Sequence, residues 1–229
     1  MPAPPALRRL GTSLTAVVSL AGSLWAQGNP TVSGRLTVLD KDEKVAQDVG
    51  QAVIWLESPE AAPAPPGRAD MSTENKQFLP GVVVLTVGST LTFPNHDPFN
   101  HNVFSLSDIG PFDLGLYGRG EGKTATFQKP GIVRVYCNVH AQMSGFVVVR
   151  DNPYYAQPAA DGSFSIPNVA PGEYTVHAWH ERAKEYSRVL RVPPNGLNDL
   201  QLTVDARGYK YKAHLNKYGQ PYSDSGRRY

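Results

Sequence analysis

The chain has a single cysteine, Cys137, so no internal disulfide can brace it. It also lacks long amphipathic periods, while glycine and proline are plentiful at 21 and 20 residues. This combination argues against a helical protein and predicts an all-β chain with many turns. Charge of one sign is not in excess: 22 basic and 20 acidic residues give a formal net charge of +2. Arg8 and Arg9 are the only charges ahead of Gln27, so residues 27–229 are neutral as a whole. Within them, 207–229 carry six Lys/Arg against one Asp, which leaves 27–206 net acidic. Such a body is no nucleic-acid-binding surface; only the tail is basic. No Gly-rich phosphate loop and no Gly-x-Ser-x-Gly elbow is present. The three methionines, Met1 included, form no cluster.

The start of the chain reads as a targeting segment. Arg8 and Arg9 precede an apolar stretch, Leu10 to Leu24, and Leu24-Trp25-Ala26 offers a small residue ahead of a cut before Gln27. The run is too short for a membrane span, so residues 1–26 are expected to be a signal peptide and the mature chain periplasmic or secreted. No membrane span is expected after cleavage.

The densest chemistry lies in Tyr136 to Gly145. Cys137, His140 and Met143 follow one another at intervals of three, just after the β-branched run Ile132-Val133-Arg134-Val135. Phe146-Val147-Val148-Val149 begins the next strand, so the loop between can fold three side chains round one ion. A fourth donor, His101 in Asn100-His101-Asn102-Val103, must arrive from another strand. Two imidazoles, a thiolate and a distant thioether are the donor set of a blue-copper site. Zinc also takes Cys and His, but thioether is a poor zinc ligand, so Met143 favours copper. Taken singly, Cys137 reads as a buried thiol, His140 as a loop residue and Met143 as a core filler.

At these residues the chain resembles the cupredoxins of the plastocyanin and amicyanin type. The resemblance covers about residues 77–150: Val87-Gly88-Ser89-Thr90-Leu91-Thr92-Phe93-Pro94-Asn95, His101-Asn102-Val103, Lys129-Pro130-Gly131 and the Cys137 loop, whose short gap between His140 and Met143 is amicyanin-like. It implies a Greek-key β-sandwich carrying one type 1 copper ion on His101, Cys137, His140 and Met143, and a one-electron carrier. It further implies that a backbone amide near Asn102 donates to the Cys137 sulfur. The His140 ring edge would be exposed, ringed by Pro94, Phe99 and Ala141, as the docking point for a redox protein partner. Catalysis is not expected: the neighbours of Cys137 are Tyr136 and Asn138, not a histidine that wires to a second copper, and four ligands leave no open position. A copper-delivery protein, or a surface interaction protein with an accessory copper module, are the alternative readings.

The rest of the mature chain alternates like strands at Thr31 to Leu39 and Gln51 to Glu57, then passes through a proline-rich stretch, 58–69, expected to be an extended linker. The copper module is read as 70–152. Beyond it, Asp161-Gly162-x-Phe164-x-Ile166-x-x-Val169-x-Pro171-Gly172-x-Tyr174-x-Val176 resembles the carboxypeptidase-regulatory-like, or transthyretin-like, sandwich, over 156–205. Val32-x-Gly34-x-Leu36 and Ala52-x-Ile54 fit the opening of such a domain. Two readings stand: residues 30–57 join 156–205 with the copper module inserted between, or they supply the first strands of the copper module. The tail, 206–229, mixes tyrosines with basic residues; it is either an arm packed on the body or an electrostatic arm for an anionic partner. Among the other histidines, His96 is expected at the rim or as a hydrogen-bond partner of a ligand. His177 and His180, three apart on a strand, should point to opposite faces and share no metal. Glu181 is a candidate partner for His180, and His214 has no visible one.

Overall fold

Alternation of apolar residues builds every layer of this protein. The computed structural model describes residues 1, 29–41 and 44–222; the targeting segment falls outside them. In chain order the strands are β1 (Val32–Leu39), β2 (Val53–Glu57), β3 (Arg68–Asp70), β4 (Ser72–Glu74), β5 (Gln77–Leu79) and β6 (Val82–Thr86). Then come β7 (Thr90–Asn95), β8 (His101–Ser105), β9 (Phe112–Tyr117), β10 (Gly120–Thr126), β11 (Gly131–Cys137) and β12 (Ser144–Arg150). The last are β13 (Tyr155–Ala156), β14 (Ser163–Ile166), β15 (Gly172–Trp179), β16 (Tyr186–Val192) and β17 (Leu197–Asp205). Among the described residues there is no α-helix; a 3₁₀ turn lies at Val49–Gln51, and no helix is long and apolar enough to cross a membrane.

Four sheets result, ordered β14-β1-β17, β13-β2-β15-β16, β6-β12-β11-β8-β9 and β10-β7-β4-β5, with β3 also on β7. They stack as four layers. Leu36, Ile54, Leu56, Phe164, Val176 and Leu202 fill the space between the first two sheets. Phe93, Val103, Val133, Val135, Val147 and Val149 fill it between the last two. The middle sheets meet through Val53, Trp55 and Trp179 on one side and Val82, Phe146 and Val148 on the other. This explains two unbroken apolar runs. β12 sends Val147 and Val149 into its own sandwich and Phe146 and Val148 into the joint; β2 divides Ile54 and Leu56 from Val53 and Trp55 in the same way. A strand covered on both faces needs no polar alternation.

β1 pairs antiparallel with β14 and parallel with β17, and β2 pairs with β13 and β15. Both partners of each lie more than 90 residues downstream, and 68–150 form the other two sheets. Gly34 marks the closest approach of β1 and β17: a Cβ there would run into the Leu200 carbonyl, at an irregularity in the register. The proline-rich stretch is docked: the Pro65 carbonyl accepts from Thr86 Oγ1 at 2.7 Å, and the Ala64 amide donates to the Asp151 carbonyl at 2.9 Å.

Trp55 sits at the centre of the joint. The residue is 3 % exposed; its ring stacks on His177 at 4.8 Å and carries the Arg150 guanidinium 4.3 Å from its centroid. Trp55→Ala is expected to cost about 3–5 kcal/mol in urea unfolding, the range for emptying a large aromatic site.

Candidate metal centre

β8 and β11 bring the site together. Cys137, last residue of β11, pairs with Val103 of β8, two residues past His101. The Cys137 sulfur therefore lies 3.5 Å from His101 Nδ1. The loop after Cys137 turns back at once: the Met143 amide donates to the His140 carbonyl at 3.1 Å, and the Cys137 amide to the Met143 carbonyl at 3.3 Å. That turn brings His140 Nδ1 to 3.7 Å from the sulfur and 3.2 Å from His101 Nδ1. His101, Cys137 and His140 are all buried and form a group able to hold a metal ion. Met143 is buried on the same turn.

The spacing tests the fit of an ion. Ligand bonds of about 2.0–2.3 Å at trigonal angles set donors roughly 3.5–3.8 Å apart. The two nitrogen–sulfur separations, 3.5 and 3.7 Å, fall in that range, and the 3.2 Å between the imidazole nitrogens corresponds to a narrower angle at an ion held between two imidazoles and a thiolate. Without a cation, burial pushes the Cys137 thiol up, while backbone N–H groups of Asn102, Val139 and His140 act the other way. Burial and the neighbouring His101 push His140 down to about 4. Both rings are thus neutral and offer lone pairs.

Asp97 decides which nitrogen of His101 faces the centre. Its Oδ2 accepts from His101 Nε2 at 2.9 Å, so the other nitrogen, Nδ1, carries the lone pair. Asp97 is 4 % exposed, and the amides of Asn75 and Lys76 also donate to its carboxylate, at 2.8 and 3.2 Å. Burial works against its charge; the His101 and backbone hydrogen bonds outweigh this and hold it below the usual carboxylate range. Residue type alone does not single out Asp97 among the acidic residues. Its signal is the position four residues ahead of His101 in the Asn95–Pro98 turn. His96 is exposed, at the rim, and makes no bond to a candidate ligand.

Three expectations are corrected. The exposure of His140 is smaller than expected: the residue is 4 % exposed, and Phe99 packs on both imidazoles, 5.4 Å from His101 and 5.2 Å from His140. His180 faces Asp48 at 3.6 Å and accepts from the Arg182 amide, in place of a bond to Glu181. His214 does have partners: it stacks on Tyr136 at 4.2 Å and meets Tyr222 edge-on. His177 lies between Glu57 and Glu185, away from His180.

Comparison with known proteins bears on parts of the chain. The family model for polysaccharide lyase family 4, domain II, matches residues 125–192, a span that runs from β10 to β16 and so includes strands of both sandwiches. No curated protein matches the sequence. Solved structures that resemble it include a purple cupredoxin from Nitrosopumilus maritimus, 23 % identical over 36 % of this chain and 99 % of its own, with a TM-score of 0.33. A pseudoazurin from Sinorhizobium is 26 % identical over 38 % of this chain and 76 % of its own, TM-score 0.32. An amicyanin from Paracoccus versutus is 22 % identical over 42 % and 97 %, TM-score 0.34.

Proposed function

We propose that this chain is an exported type 1 copper protein that carries single electrons between redox partners and is not an enzyme. The observation that carries the reading is the buried trigonal group of His101 Nδ1, His140 Nδ1 and Cys137 Sγ, with separations suited to one ion. Met143, buried on the same turn, would be a further, weaker donor to the ion in this reading. Copper, when bound, supplies a one-electron change between two oxidation states. The residues do the rest. His101 and His140 present lone pairs, Asp97 holds the His101 tautomer, and the surrounding strands hold the donors in one geometry. Phe99 and the loop exclude water. The redox partner docks over Phe99, which covers His140, and the sandwich of β1, β2 and β13–β17 is transthyretin-like, with 68–150 inserted into it. A buried donor group also suits retention of the metal better than its delivery to another protein.

The test is direct. Residues 27–229, loaded with Cu(II), should show an intense thiolate-to-copper absorption band and narrow hyperfine splitting in electron paramagnetic resonance. A colourless or pale protein would refute the reading. Met143→Leu, close in volume, should keep the band and fold but change the reduction potential. An unchanged potential would make Met143 a core residue only.

A further inference from the structure

After β17 the chain leaves the outermost layer of one sandwich and reaches the metal loop of the other. Cys137 lies just past the last β11–β12 pair, Tyr136 with Ser144. Its carbonyl is taken up by the tail: Tyr222 Oη donates to it at 2.6 Å. One residue on, Asn138 Oδ1 accepts from the Lys217 amide at 3.0 Å. One residue back, the Tyr136 ring lies nearly parallel to His214, at 4.2 Å and 23°, and Tyr222 stands edge-on against the far ring at 5.2 Å. The tail also reaches the strand that carries His101. Lys217 Nζ meets Asp113 Oδ2 at 2.7 Å, and Asp113 Oδ1 accepts from Asn102 Nδ2 at 2.6 Å. Asn102 in turn accepts the Asn138 amide at 2.8 Å. Residues 136, 137, 138 and, through Asp113, 102 are thus all tied to one nine-residue segment.

We propose that residues 214–222 are a strap that positions the metal loop, with Tyr222 as the positioning residue for Cys137. A carbonyl at the end of a ladder has lost its strand partner, and leaving it without a donor in a part-buried place is costly. The Tyr222 hydroxyl supplies that donor from outside the sandwich and fixes the Cys137 peptide, from which the sulfur projects. The flat contact of His214 on Tyr136 and the Lys217–Asn138 bond hold the two flanking residues. The basic character of the tail is then only partly free for an anionic partner, because Lys217 is engaged with Asp113.

The metal-related arm of the test rests on the copper reading; the other arm does not. In the full-length mature chain without metal, the rate at which an aromatic disulfide reagent modifies Cys137 is compared for the native protein, Tyr222→Phe, His214→Ala and the exposed-tail control Tyr211→Phe. Tyr222→Phe removes one hydroxyl and is expected to speed modification roughly fivefold, the population change that loss of a hydrogen bond of about 1 kcal/mol allows. His214→Ala should also speed it, and Tyr211→Phe should not. In copper-loaded protein, Tyr222→Phe should lower the reduction potential, because a donor beside the thiolate favours the site that holds the extra electron. It should also speed removal of copper by a chelator. Native-like rates and potential in Tyr222→Phe would overturn the strap, as would equal acceleration by Tyr211→Phe. If the native protein takes up no copper, the copper reading fails on its own, and the thiol rates still decide the strap.

Discussion

Cys137→Ala is expected to abolish the visible thiolate-to-copper band completely while the protein still folds. The sulfur is the only atom removed. It is fully buried beside His101 and His140, and its loss from the core should cost on the order of 1 kcal/mol. The two imidazoles remain 3.2 Å apart and can still hold a cation weakly, so pale colour without the intense band is the anticipated spectrum. His101→Ala and His140→Ala should give a different pattern, in which the thiolate persists but the trigonal plane is broken and narrow hyperfine splitting is lost. Absorption and electron paramagnetic resonance spectra of the three variants, with thermal unfolding as the control for folding, separate the two effects. An intense band surviving in Cys137→Ala would show that the sulfur is no ligand.

The parts of this centre that could be read from the sequence are those held by local spacing. Cys137, His140 and Met143 share one tight turn, and three-residue intervals between two apolar strands are visible without any fold. His101 could be named from Asn100-His101-Asn102-Val103 and the resemblance that this run carries; the structure places it at the start of the strand His101–Ser105, buried throughout. The all-β class followed from alternation and from glycine and proline. What escaped is what long-range packing decides. The parallel pairing of β1 with β17 joins Val32 to Leu197, and no local pattern marks it. Burial of His140 depends on the side chain that falls across it, Phe99, which the sequence offered only as a member of a rim. The contacts of His214, Lys217 and Tyr222 come from a segment with neither strand nor helix period. Its tyrosines were visible, but the carbonyl and ring they meet lie about 80 residues back. The unbroken apolar runs of β2 and β12 did carry information about the four-layer stack, since each strand has a core on both faces.

Asp97→Asn should weaken copper binding by roughly 10- to 100-fold, the usual consequence of changing the partner behind a ligating imidazole. The reason lies in a count of donors and acceptors. In the native protein Asp97 is an acceptor only, and it receives His101 Nε2 together with the amides of Asn75 and Lys76. An asparagine has one oxygen and an NH₂ group at the same places, so at least one donor then faces another donor in a buried setting. If the oxygen takes the place of Oδ1, it keeps the Asn75 amide, and the NH₂ group faces the Lys76 amide and His101 Nε2 and favours the tautomer in which Nδ1 carries the proton and cannot bind an ion. If it takes the place of Oδ2, it keeps His101 and the Lys76 amide, and the Asn75 amide loses its acceptor, at a cost of about 1–3 kcal/mol. Both outcomes harm the site, and two measurements tell them apart. Competition with a copper chelator reports affinity, and urea unfolding of the metal-free protein reports the turn. Loss of affinity with little loss of stability assigns Asp97 to the His101 tautomer; loss of stability with native affinity assigns it to the turn alone and removes it from the metal centre.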